Sequence, residues 1–170
     1  MNQAGDPPAE GWTYYPRPSL PRVNDIIWCR FPYHDNPGPG GKFRPVLVGA
    51  IAIDQDSDLR SAVLVAYGTT SLKVGRRPYD LTIQNAADMH QIGLAKATRF
   101  DLDLKIVLPW CEEFFAAPPW SSTFRIGRLN AAQEERLKNL VTRRKRQAEL
   151  LARRAAALQA GREVERPDEL

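Results

Sequence analysis

The sequence predicts a mainly β fold with a C-terminal helix, built as a small, strongly bent sheet or barrel. Three observations carry that expectation. Short runs rich in Val, Ile and aromatic residues recur between positions 26 and 129, and such side chains suit a pleated, half-buried surface. Clusters of Gly, Pro, Asn and Asp separate them. From position 130 the apolar spacing turns helical. Short strands with tight turns and one terminal helix are satisfied by a bent sheet that the helix covers.

Residues 1–22 carry Pro7, Pro8, Pro16, Pro18 and Pro21. Proline fixes φ and removes a donor, so the segment reads as an extended arm. Trp12, Tyr14 and Tyr15 either tack it onto the body or sit on a solvated tail. Positions 26–31 form the first strand, ended by Pro32. Residues 33–42 are a polar loop centred on Asn36-Pro37-Gly38-Pro39-Gly40-Gly41. The second strand, 46–53, is almost continuously apolar, as a buried strand is. Residues 54–58 turn, and 62–67 make a third strand that runs straight into Gly68-Thr69-Thr70-Ser71.

A basic loop follows at 73–78. Residues 81–83 and 106–108 read as short strands, and 124–129 as a last strand or a lead-in to the helix. Between the last two, Pro109-Trp110 and Pro118-Pro119-Trp120 bracket CEEFFAA, an insertion of unassigned shape. Asn130 with Gln133 resembles a capping box. Leu137, Leu140, Val141, Ala148, Leu151, Ala155 and Leu158 share one helical stripe, interrupted at Arg144. The first turns are expected to pack on the sheet, the distal part to leave the body, and Gly161 to stop the helix. The resulting division is a Pro-rich arm (1–22), a barrel domain (23–142) with an insertion near 109–121, and a basic helical extension and tail (143–170).

The chain has 170 residues, enough for one domain and tails. Its formal net charge is +4, which leans toward an anionic partner. Arg143, Arg144, Lys145, Arg146, Arg153 and Arg154 concentrate that charge near the C-terminus. The two cysteines, Cys29 and Cys111, have no metal-ligand or CxxC spacing and read as reduced, buried and inert. With no signal-peptide pattern and no membrane-length apolar run, the expected location is cytoplasmic.

Metal chemistry finds little support in the residues, and no cofactor is expected. Only His34 and His90 are available, and Asp54, Asp56 and Asp58 lack the Gly and terminal Glu of a calcium loop. Cys29 with His34 would make a nucleophile and base, but Cys29 lies mid-strand, where a thiol is core. Gly38, Gly40 and Gly41 precede no GK[ST] helix and are not a phosphate loop. A fixed cation and hydroxyl donors remain. Arg44 offers a planar fork that matches two phosphate oxygens. Thr69, Thr70 and Ser71 sit where a buried strand meets solvent. Such a set suits RNA cleavage by internal attack of the 2′-hydroxyl, because the substrate brings its own nucleophile. Taken singly, an Arg before a strand Pro is an ordinary surface residue, and Gly-Thr-Thr-Ser an ordinary turn.

Their order resembles the MazF/PemK family of toxin endoribonucleases. Asp25-Ile26-Ile27-Trp28-Cys29 with Phe31, the Gly-rich loop, Lys42 with Arg44-Pro45-Val46-Leu47-Val48, and VLVAYGTTS followed by a basic loop are similar to that family's opening strand, loop ending in Arg-Pro, and strand ending in Thr. The resemblance covers about 23–100 and, in the Ile126 to Val141 region, the family's helix. It implies an SH3-like barrel, usually a homodimer, that cuts single-stranded RNA without metal and leaves a 2′,3′-cyclic phosphate. It also implies a small antitoxin that covers the RNA groove. Arg44 falls on the family's catalytic arginine, with a role in phosphate stabilisation and proton transfer. Thr69 falls on its catalytic threonine, and Thr70, Ser71 and His34 become accessory candidates. Lys42, Lys73, Arg76 and Arg77 become candidate RNA contacts.

Asn24 stands where the family has Gly. Arg99-Phe100-Asp101 has the Arg-x-Asp spacing that some members carry on a later strand, displaced by several residues. The arm, the CEEFFAAPPW insertion and the basic helix are additions. Two alternatives belong to other classes. One is a non-catalytic nucleic-acid-binding module on the same barrel, in which Tyr79 and Trp28 stack unpaired bases. The other is an interaction protein whose helix pairs with a partner helix.

Overall fold

The computed structural model describes residues 11–32, 36–54, 60–72 and 79–164, the last four as backbone only. Among them, six strands form one antiparallel sheet: β1 (Asp25–Cys29), β2 (Arg44–Ile53), β3 (Ser61–Thr69), β4 (Leu81–Ile83), β5 (Thr98–Pro109) and β6 (Arg125–Arg128). Their spatial order is β4-β5-β3-β2-β1-β6, and the sheet curls into a half-barrel. Helices α1 (Ala86–Ile92), α2 (Glu112–Phe115) and α3 (Ala131–Val164) complete the chain. The mainly β architecture with a C-terminal helix is the one the sequence predicts.

The apolar runs are nearly continuous because the sheet is buried on both faces. One face presents Ile27, Cys29, Val46, Val48, Val63 and Val65, covered by Trp110, Phe114 and Phe115. The other presents Ile26, Leu47, Ala66, Leu81 and Phe100, covered by Ile92, Leu94 and Leu140. Register shifts between Val48 and Ala50 and between Ala66 and Tyr67 bend the long strands, as bulges do.

The curl does not close by pairing β4 with β6; α1 occupies the gap. Asn85 caps α1 by accepting from Ala87 N at 2.9 Å and Asp88 N at 3.4 Å. Gly93 ends it at φ 87°, a conformation that favours glycine. The C-terminal end of α1 then lies so close to β6 that a Cβ on Gly127 would stand 1.6 Å from the Ile92 carbonyl oxygen.

The described part of the arm, 11–22, packs on the body. Trp12 lies 5.1 Å from Phe114, and Tyr15 5.2 Å from Trp110, between ring centroids. Tyr14 bridges to Cys111, Trp110 Nε1 donates to Ser19 Oγ at 3.1 Å, and Arg17 donates to the Asp54 carbonyl. Thr13 N donates to both carboxylate oxygens of Glu113, at 3.0 and 3.1 Å. The CEEFFAA stretch is thus the platform for the arm: β5 runs into Trp110, and α2 turns Phe114 and Phe115 inward.

Three expectations need correction. β5 is a strand of 12 residues, not the three apolar positions 106–108, because its first half alternates polar and apolar side chains. Gly161 does not stop α3, which runs to Val164; a single glycine costs a helix only about 1 kcal/mol. The proximal turns of α3 do pack, through Leu137 and Leu140, and Leu150, Leu151 and Leu158 are exposed. Arg144, the interruption in the stripe, is an anchor: it donates to the Leu102 carbonyl at 2.7 Å and pairs with Asp103. Asn130 Oδ1 accepts from Gln133 N at 2.9 Å, but the Gln133 side chain reaches Asp88 instead of closing the box. Among the described residues no helix is long and apolar enough to cross a membrane.

Candidate functional site

Proline at position 45 holds the preceding residue extended, so Arg44 enters β2 with a restricted backbone. It pairs with Cys29 on β1. On the other side, Val46 pairs with Tyr67, and the same register carried two residues outward sets Arg44 opposite Thr69. Gly68 permits this approach, since a Cβ there would stand 2.1 Å from the Pro45 carbonyl oxygen. Thr69 in turn pairs with Arg99 on β5, and Arg99 with Thr82 on β4. Cys29, Arg44, Thr69, Arg99 and Thr82 therefore form one row across five strands, and directly paired residues share a face.

Within that row Cys29 is buried and Arg44 and Thr69 are half-buried. The Arg44 guanidinium lies 5.4 Å from the centroid of the Tyr67 ring, and Phe31 packs edge-on against that ring at 5.1 Å. This stacking aims the fork without using its N–H donors. Among the described residues the Arg44 side chain contacts the Tyr67 ring and has no hydrogen-bonded or ion-paired partner. Thr69 Oγ1 accepts from Ser71 N at 3.1 Å, which fixes its rotamer and leaves its own proton to donate.

Arg99 is the residue that apolar-run reading misses. Its Nη1 meets Asp80 at 3.1 Å, and its buried Nε has no hydrogen-bond partner among the described residues. The alternation of Phe100 and Leu102 with polar residues marks its strand, and the pairing of β5 with β3 puts Arg99 beside Thr69. Asp101, the other half of the Arg-x-Asp spacing, is structural: its Oδ1 accepts from Asp103 N at 2.9 Å and Leu104 N at 3.0 Å and closes the bulge in β5. Asp80, Asp101 and Asp103 lie together within 4.8 Å, but Arg99 and Arg144 offset their charge.

Thr70, Ser71 and Lys42 are exposed at the same end of the sheet. His34, Lys73, Arg76 and Arg77 lie outside the described residues. Cys29 is fully buried, and burial, with the nearby Cys111 second, pushes its thiol well above the ordinary value. That environment is unsuited to a nucleophile. Arg44, Thr69 and Arg99 thus stand side by side in one cross-strand row, a hydroxyl-bearing residue between two guanidinium-bearing ones, and these are residue types that bind a tetrahedral anion. No protein-family model matches the chain, and no curated protein matches it.

Proposed function

We propose that the chain is a toxin-type endoribonuclease of the MazF/PemK kind, which cleaves single-stranded RNA by internal transesterification. The observation that carries this reading is the register of β2 with β3, which pairs Val46 with Tyr67 and, carried two residues outward, sets Arg44 opposite Thr69. The 2′-oxygen attacks the adjacent phosphorus, the bond to the 5′-oxygen breaks, and the products end in a 2′,3′-cyclic phosphate and a 5′-hydroxyl. Arg44 binds two non-bridging oxygens as charge builds in the phosphorane, and Thr69 donates to the same phosphate. A guanidinium stays protonated, so Arg44 stabilises charge and water moves the protons. Arg99, paired with Asp80, closes the row on the far side of Thr69. A homodimer, an antitoxin partner and cytoplasmic action come with this reading.

The test is cleavage of single-stranded RNA by purified protein in EDTA, with the product ends mapped. Wild type is expected to leave 2′,3′-cyclic phosphate, and Arg44→Ala to lose about 100- to 1,000-fold in rate, the size of a lost oxyanion donor. One observation favours a second reading, a non-catalytic nucleic-acid-binding module: the Thr69 hydroxyl already takes part in an ordinary turn with Ser71. RNA binding without cutting selects that reading.

A further inference from the structure

Trp120 is 67% exposed and belongs to neither hydrophobic core. It is nevertheless held in place. The turn at Pro118-Pro119 is closed by Ser121 N donating to the Pro118 carbonyl at 2.9 Å. The indole meets Trp28 edge-on at 5.7 Å and Phe43 edge-on at 6.0 Å. The Arg30 guanidinium lies 4.8 Å from the Phe43 ring centroid. The register of β1 with β2 explains the grouping: Trp28 faces Pro45, and one further step past Cys29 and Arg44 brings Arg30 opposite Phe43. Lys42 follows, exposed. Arg30 and Lys42 have no ion-pair partner among the described residues.

We propose that Trp120, Trp28 and Phe43, with Arg30 and Lys42, form a stacking platform for an unpaired nucleobase of single-stranded RNA. A solvated indole held beside two cations that have no ion-pair partner among the described residues meets both demands of such a ligand, a π face for the base and positive charge for its phosphate. The choice of RNA rests on the nuclease reading; the choice of a flat, anion-bearing ligand rests on the patch. Phe43 and Arg44 are successive residues with Cα atoms about 3.8 Å apart, and they point to opposite faces of the sheet end. A strand whose phosphate sits on Arg44 therefore passes over the ends of β1 and β2 and sets a neighbouring base against Trp120. The platform uses the 109–121 insertion, so it gives that insertion a role in substrate binding beyond holding the arm.

The experiment uses the full chain and a labelled 2′-O-methyl RNA, which binds but has no free 2′-hydroxyl to attack, as a single strand and as a duplex of the same sequence. Trp120→Ala is expected to weaken single-strand binding about tenfold or more, the size of one lost base stack, with duplex binding unchanged. Trp120→Phe is expected to retain most of the affinity. Equal weakening toward both RNAs, no change toward either, or no binding of the single strand by wild type would overturn the platform. Cutting of unmodified RNA by wild type is scored separately. Its absence would count against the nuclease reading alone, and a Trp120 variant with wild-type affinity would count against the platform alone.

Discussion

A single methyl group on Gly68 would collide with the Pro45 carbonyl oxygen and, at 3.1 Å, crowd the Phe100 ring. Neither strand has room to yield, because both lie inside the sheet. Gly68→Ala is expected to cost about 2 kcal/mol or more in denaturant unfolding, and to reduce cleavage even where the protein stays folded, since it parts Arg44 from Thr69. The thiols behave oppositely to a reactive pair. Burial is the main force that pushes Cys111 up to about 12, against a hydrogen bond from the Phe114 backbone. Both cysteines are expected to resist alkylation at pH 8 in the native protein and to react within seconds to minutes once denaturant exposes them. Fast native labelling would contradict the buried placement.

At the level of elements, the long helix divides at Arg144. The proximal turns contribute Leu137 and Leu140 to the core and donate from Arg136 to the Thr82 carbonyl at 2.9 Å. Residues 147–160 present only exposed side chains, on a helix about 51 Å long in all. Deleting residues 147–170 is expected to leave the melting temperature within about 1 °C, because the described side chains among them, 147–160, are all exposed. Arg144→Ala in the full chain removes a charged hydrogen bond and a partly screened ion pair, and about 1 kcal/mol of stability is expected to go with it.

The arm is tied to α2 through Glu113. Burial raises that carboxyl's pKa, but hydrogen bonds from its own backbone and from Thr13 outweigh it, and the net position is below the ordinary 4.5. A lowered folded pKa gives stability that is present above 4.5 and lost as pH falls through the lower value. Proteolytic release of the arm is therefore expected to be slow at neutral pH and to accelerate as pH falls below 4.5, and Glu113→Gln is expected to flatten that dependence.

For the molecule as a whole, the sequence makes legible what rests on local pattern. The strands around Ile26, Val46 and Val63 are apolar on both faces, so composition alone announces them. The departure of α3 from the body begins at the interruption of its apolar stripe at Arg144, and Leu151 and Leu158 beyond it are exposed. Pattern fails where long-range pairing decides. Arg99 is local in neither chain nor hydrophobicity to Thr69; only the antiparallel return of β5 beside β3 joins them. Trp120 is equally silent in sequence, because nothing in CEEFFAAPPW states that its last residue lands on Trp28 and Phe43. The helix α1 goes unread in the sequence, and its purpose, filling the open side of the curl, appears only with β6 in place.

The central claim is that Arg44 and Thr69 act together on one phosphate. A double-mutant cycle on single-turnover cleavage of single-stranded RNA, with Arg44→Ala, Thr69→Val and the double variant, reads that directly. The claim predicts that the double variant cuts about as slowly as the slower single variant, because removing either group already breaks the shared contact. Losses that multiply in full across the cycle would mean that the two side chains serve separate ends, and would contradict it.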